Sequence, residues 1–154
     1  MTSKHRHYLA VEASIGFAIS AVLSLVFCFL VFGRQALVPV GGAGGLIVDS
    51  LPQSFMVALM SSLVPTLLTR RRVRSGAVPC REGRGRLPSH ALLRALLFAC
   101  CAAGIGGVLT AIILTFGPGE WPFAPMAMIK TAYGALLGGG VAALATRAAL
   151  ADAA

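Results

Sequence analysis

A chain of 154 residues is long enough for one domain, yet 57% of it is hydrophobic and 12% charged, about half the charged share usual in soluble domains. So small a soluble protein cannot hide that much apolar surface, so a free-standing soluble fold is excluded and a bilayer is the expected solvent. The mean hydropathy of +0.85 agrees, and the net charge of +8 makes the placement of the basic residues the next question.

The first uncharged run covers residues 13–33, between Glu12 and Arg34. About 20 helical residues cross a hydrocarbon core of roughly 30 Å, so this run predicts a membrane helix over 12–33. It is too long for a cleaved signal, and no A-x-A-like site follows it. Cys28 follows bulky Phe27, which disfavours a lipoprotein cleavage site. Glu12 is expected at the start of the helix, where a carboxylate suits the helix dipole and where Arg94 or Arg147 could neutralise it; a proton-coupling carboxylate is the alternative. The loop over 34–49 contains VPVGGAGG, flexible and glycine-rich, but no G-x-x-x-x-G-K-[ST] phosphate loop.

The second run predicts a helix over 50–70, with Pro65 kinking it near its end. A basic loop over 70–90 follows: TRRRVRSGAVPCREGRGR holds seven arginines and one glutamate. It lacks the aromatic residues that stack bases and any nucleic-acid-binding motif, so no nucleic-acid partner is expected. Arg70, Arg71, Arg72 and Arg74 are expected to contact anionic lipid headgroups, at about 1 kcal/mol per basic residue. The third run predicts a helix over 91–117, and GPGEWPFAP over 117–125 predicts a turn with Trp121 as interfacial anchor. The fourth helix, 125–148, spans only if Lys130 reaches the surface by its flexible stem. Continuous apolar runs, not alternating with period two, exclude barrel strands.

With the N-terminus inside, the inner flanks carry eleven basic residues and the outer flanks two, Arg34 and Lys130. That asymmetry orients both termini to the cytoplasm. The expected fold is all-α: four transmembrane helices in one membrane domain, built as two tandem helical hairpins. A shift of 77 lays residues 54–70 over 131–147 with six identities in seventeen positions, and a shift of 84 lays LVFG (30–33) over LTFG (114–117). Such an internal repeat keeps the orientation of its unit.

Membrane helices associate by close approach, and each run carries a stripe of small residues every fourth position. The stripes include Ser24 with Gly16, Ser20 and Cys28; Ser62 with Ser54, Ala58 and Thr66; Gly107 with Ala99, Ala103 and Ala111; and Gly134 and Gly138 with Ala142 and Thr146. A tight bundle is the first reading of these stripes, a ligand-lined pathway the second. Lys130 within a span is a candidate functional residue; the alternatives are snorkelling and pairing with Asp49 or Glu120. Its partner under the 77-residue shift, Gln53, is also polar.

No C-x-x-C occurs among Cys28, Cys80, Cys100 and Cys101, and Cys100 and Cys101 are expected as packing residues. Cys80 with His5, His7 and His90 has no known zinc spacing. No metal, cofactor or catalytic residues are expected, since no nucleophile–base pair lies within a span. Only size and helix count match the small multidrug-resistance transporters, and the chain is not assigned to them. Arginine-rich, alanine-rich composition points to a bacterial inner membrane. The expected role is a non-catalytic accessory or scaffold subunit in a homo-oligomer or larger membrane complex. The alternative is a small dimeric transporter or permease with a polar site near Lys130.

Overall fold

The computed structural model describes residues 3–33, 35–42, 44–80 and 87–152, and for 114 and 115 the backbone alone. Arg34, Arg81, Arg84 and Arg86 lie outside the described residues. The elements in chain order are α1 (Ser3–Phe32), β1 (Leu37–Pro39), α2 (Leu46–Arg74), α3 (Ala91–Thr115), β2 (Glu120–Pro122) and α4 (Phe123–Asp152). All four helices are long and apolar enough to cross a membrane.

Three helices are longer than their uncharged runs predict. A hydrocarbon boundary limits composition, but a helix stops only where the backbone is broken. Residues 3–11 hold no glycine or proline, so α1 starts nine residues before position 12. Arg70, Arg71, Arg72 and Arg74 thus belong to α2, not to a loop. The helix ends where Gly76 adopts φ +75°. There the Gly76 N–H donates to Val73 O and the Ala77 N–H to Arg72 O, both at 3.0 Å, the paired closure typical of a glycine-terminated helix. α2 runs on through Pro52 and Pro65.

α1 packs along α4, and α2 packs along both α3 and α4. The sequence neighbours α1/α2 and α3/α4 touch little, so the order in space is α1, α4, α2, α3. Each expected hairpin is therefore joined by its turn more than by its packing, and its first helix leans on the second helix of the other pair. α1 and α4 are antiparallel, with Gly16 beside Ala142 and Ser24 beside Gly134. α2 and α4 run parallel: Asp49 reaches Lys130 at one end, and Arg70 reaches Asp152 at the other.

Both termini lie at one end of the bundle. At the opposite end the two connecting segments form an antiparallel ribbon, pairing Leu37 with Pro122, Val38 with Trp121 and Pro39 with Glu120. The 117–125 segment is thus half of a ribbon, not an isolated turn. The Val40 N–H donates to Gly119 O at 3.0 Å and the Phe123 N–H to Ala36 O at 3.2 Å, which extends the pairing. Beneath the ribbon, Cys28, Phe32, Val38, Leu46 and Met126 form an apolar cluster, and Phe29 meets Phe123 edge to face at 5.1 Å. That cluster ties the ends of α1 and α4 together and roofs the space between α2 and α4.

Candidate functional site

Lys130 is the eighth residue of α4, and Asp49 lies in the first turn of α2, where a carboxylate is favoured by the helix dipole. Because the two helices run parallel, the acid meets the lysine in an ion pair. The Lys130 ammonium also stands 5.4 Å from the Phe32 ring centre, within cation–π range. Of the alternatives that the sequence leaves open for Lys130, pairing with Asp49 is the one realised.

Next to this pair, between α2, α3 and α4 and under β2, lies a cavity of about 140 Å³. Ser50, Gln53, Thr110, Trp121, Lys130 and Tyr133 belong to its lining with Leu46, Ile113, Met126 and Ile129, and the surface they present to it is almost entirely apolar. The hydroxyls of the wall are internally arranged. Ser50 Oγ donates to Ile47 O and Ser54 Oγ to Ser50 O, both at 2.7 Å. With the Ser54 proton so used, the Tyr133 hydroxyl donates to Ser54 Oγ, also at 2.7 Å. Two buried N–H groups are left over: Gln53 Nε2 and Trp121 Nε1 have no partner among the described residues.

The termini end carries a second polar group. Glu12 is 4% exposed and pairs with Arg72. Arg72 also donates to the Tyr8 hydroxyl at 3.1 Å and covers the Tyr8 ring at 5.6 Å. The Tyr8 hydroxyl lies 3.1 Å from Thr69 Oγ1, so these side chains knit α1 to α2. Asp152 accepts from both Arg70 and Arg94, and Arg94, fully buried, also donates twice to Pro88 O at 3.0 and 2.7 Å. These bonds gather the ends of α2 and α4 and the start of α3 around one carboxylate.

Comparison with protein-family models, with characterised proteins and with solved structures found no match.

The site therefore rests on its own geometry. Lys130 and Gln53, singled out in the sequence, do come together on the cavity wall. Glu12 lies at the opposite end. It is the tenth residue of α1, not a helix-opening residue, because the helix starts at Ser3. Its partner is Arg72 rather than Arg94 or Arg147, because α2 continues past the apolar run and delivers Arg72 to it. Arg70 and Arg72 are engaged in ion pairs, which leaves Arg71 and Arg74 exposed at that end together with Lys4, Arg6 and Arg147.

Between the two ends the stripes mesh. Ser24, Ser62, Gly107, Gly134 and Gly138 are all buried, and a β-carbon at Gly16 would stand 2.7 Å from that of Ala142. Ser20 and Ser61 share a hydrogen bond of 3.2 Å across α1 and α2, beside a second cavity of about 180 Å³ that Glu12 and Pro65 also line. Cys100 and Cys101 are exposed on α3, contrary to the packing role expected of them, because Ala95, Ala99 and Ala102 take the buried face. Among the described residues no three His, Cys, Asp or Glu side chains converge; the His5 ring bonds to Pro79 O at 3.0 Å. Sequence reasoning misses Asp152, Tyr8 and Tyr133. For Tyr133 a signal exists, since it sits three residues after Lys130 and therefore on its face of the helix.

Proposed function

We propose that the protein is a non-catalytic accessory or scaffold subunit of a bacterial inner membrane, packing against membrane partners in a homo-oligomer or a larger complex. One observation carries this reading. Glu12, Asp49 and Asp152, the acids within the described helices, each pair with a base on another helix, near the ends of the bundle. Ion coupling ordinarily uses a charge near mid-membrane. Here the charges join helices, and in the middle of the bundle small residues bring α1 into close contact with α4, beside the second cavity between α1 and α2. The outward faces of α1 and α3 are broad and apolar, available to lipid and to partner helices.

Both termini face the cytoplasm in this reading, by the excess of basic residues at their end. Arg71, Arg74, Lys4, Arg6 and Arg147 hold anionic headgroups there. The similar packing of α1 on α4 and of α3 on α2 supports a duplicated two-helix unit. A transporter or permease is the second reading, favoured by the cavity that Lys130 and Gln53 share. Native mass spectrometry of the tagged protein, extracted gently from its own membranes, separates the two. A stoichiometric foreign subunit supports the scaffold. A homodimer with no other partner moves weight to the transporter and makes flux assays on Lys130→Gln the next step, where loss of flux in well-folded protein overturns the scaffold.

A further inference from the structure

The second cavity is a slot between α1 and α2, two helices that otherwise touch little. Its lining runs from Glu12 to Leu23 on α1 and from Leu68 to Val57 on α2. The bonds Glu12–Arg72 and Ser20–Ser61 set these two stretches antiparallel and level with each other. At 1.5 Å per residue the slot is about 16 Å long, close to one leaflet of a hydrocarbon core roughly 30 Å thick. A volume of about 180 Å³ is only a little more than an apolar cavity that takes benzene. Drawn out over that length, it is single file: wide enough for one hydrocarbon chain and far too narrow for a helix.

The surface of the slot is almost entirely apolar. Ser20 and Ser61 lie in its floor, but their hydroxyls bond to each other and stand beside Gly138 of α4, so the slot meets their carbons. The rim, formed by Ile15, Ile19 and Leu23 with Met60, Val64 and Leu68, is 40–55% exposed, so the slot opens sideways toward the bilayer. At the end nearer the termini the same faces turn basic. Tyr8 and Lys4 follow Glu12 at four-residue steps along α1, and Arg71 and Arg72 follow Leu68 along α2. Arg72 is balanced by Glu12, while Lys4 and Arg71 are exposed. An occupant that matches both parts has a hydrocarbon chain one leaflet long and a negative head at its surface end.

We propose that the slot between α1 and α2 holds one acyl chain of an anionic phospholipid, with the lipid's head at Lys4 and Arg71. The position of the head rests on the reading of the termini end as a surface for anionic headgroups; the chain site does not.

The test titrates the whole protein, delipidated in a non-ionic detergent, with phosphatidylglycerol or phosphatidylcholine carrying identical chains. Native mass spectrometry resolves each lipid bound. One phosphatidylglycerol is expected to bind at least tenfold more tightly than any that follow it, and about twentyfold more tightly than the first phosphatidylcholine. Lys4→Gln with Arg71→Gln should erase that twentyfold preference, at roughly fivefold per basic residue, and leave phosphatidylcholine unchanged. Val64→Trp and Met60→Trp each place a bulky side chain at the partly exposed rim, and should abolish the tight first step for both lipids. Ile105→Trp, on the outward face of α3, should change nothing. Folding of every variant is checked by gel filtration and circular dichroism. A tight first step that survives both rim tryptophans would overturn the slot and leave the headgroup reading standing. Equal first-step affinity for the two lipids would overturn the anionic head, and the headgroup reading with it. A series of equally weak steps for both lipids would overturn the site as a whole.

Discussion

Ser20 of α1 and Gly138 of α4 approach so closely that a β-carbon on Gly138 would overlap both the hydroxyl and the β-carbon of Ser20. The hydroxyl could rotate away; the Ser20 β-carbon could not without moving α1. Gly138→Ala should therefore destabilise the bundle by about 1–3 kcal/mol, the usual cost of overpacking. Gly140, on another face of α4, has nothing within 4 Å of such a carbon, so Gly140→Ala should be neutral. Denaturant unfolding in mixed micelles compares the two. Equal stability would remove the close contact from the account of what holds α1.

The small-residue stripes are legible in the sequence because a spacing of four is a local property of a helix. Ser54, Ala58, Ser62 and Thr66 fall on one face whatever the neighbour, and all four are buried. The neighbour itself is not legible. Nothing in the spacing states that α1 lies on α4 rather than on α2, because every helix carries a compatible stripe. Helix ends escape for a different reason. Charge marks the membrane surface, while Gly76 marks the end of α2, and the four arginines in between belong to the helix. The ribbon escapes because three-residue strands such as Leu37–Pro39 are shorter than any periodicity can register. In the site, the polar identity of Lys130 and Gln53 is visible in the sequence. Their unpartnered companion Trp121 reads there only as an anchor, since an orphan N–H exists only once the surroundings are known.

Arg94 and Asp152 make a test of the termini end. Their side chains are 0% and 7% exposed, and either alone would be a buried charge. Arg94→Met should cost about 3–5 kcal/mol, the range for breaking a buried pair from one side. Asp152 keeps Arg70 as a partner, so the loss should fall toward the lower end of that range. The double variant Arg94→Met, Asp152→Leu should recover part of it, because neither change then leaves the opposite charge buried at this pair. Thermal denaturation of the four-member cycle measures the coupling; strictly additive losses would mean that the two groups act independently.

Glu12 and Arg72 should behave asymmetrically. The Glu12 side chain is 4% exposed and that of Arg72 43%. In Glu12→Gln the guanidinium can turn to water and the new amide oxygen can still accept its N–H, so stability should change by less than about 1 kcal/mol, as for a partly exposed pair. In Arg72→Met the carboxylate stays buried without its base, and a loss of about 3 kcal/mol is expected. Unfolding of both variants decides it: a larger loss from Glu12→Gln would assign the carboxylate a role other than bridging α1 to α2.

Cys80 offers a test of orientation. It is exposed at the end that carries both termini, while Cys28 is buried under the ribbon. Cys100 and Cys101 are exposed on α3 among outward-facing Leu96 and Leu97, on a surface that a bilayer would cover. Maleimides react with the thiolate, and hydrocarbon disfavours that charged form. A charged, membrane-impermeant maleimide should thus label Cys80 alone. With both termini cytoplasmic, inside-out vesicles should take up one label per chain and intact cells none, and Cys80→Ser should abolish the signal. Labelling of intact cells at Cys80 would reverse the orientation and place the Lys130 cavity at the cytoplasmic end instead.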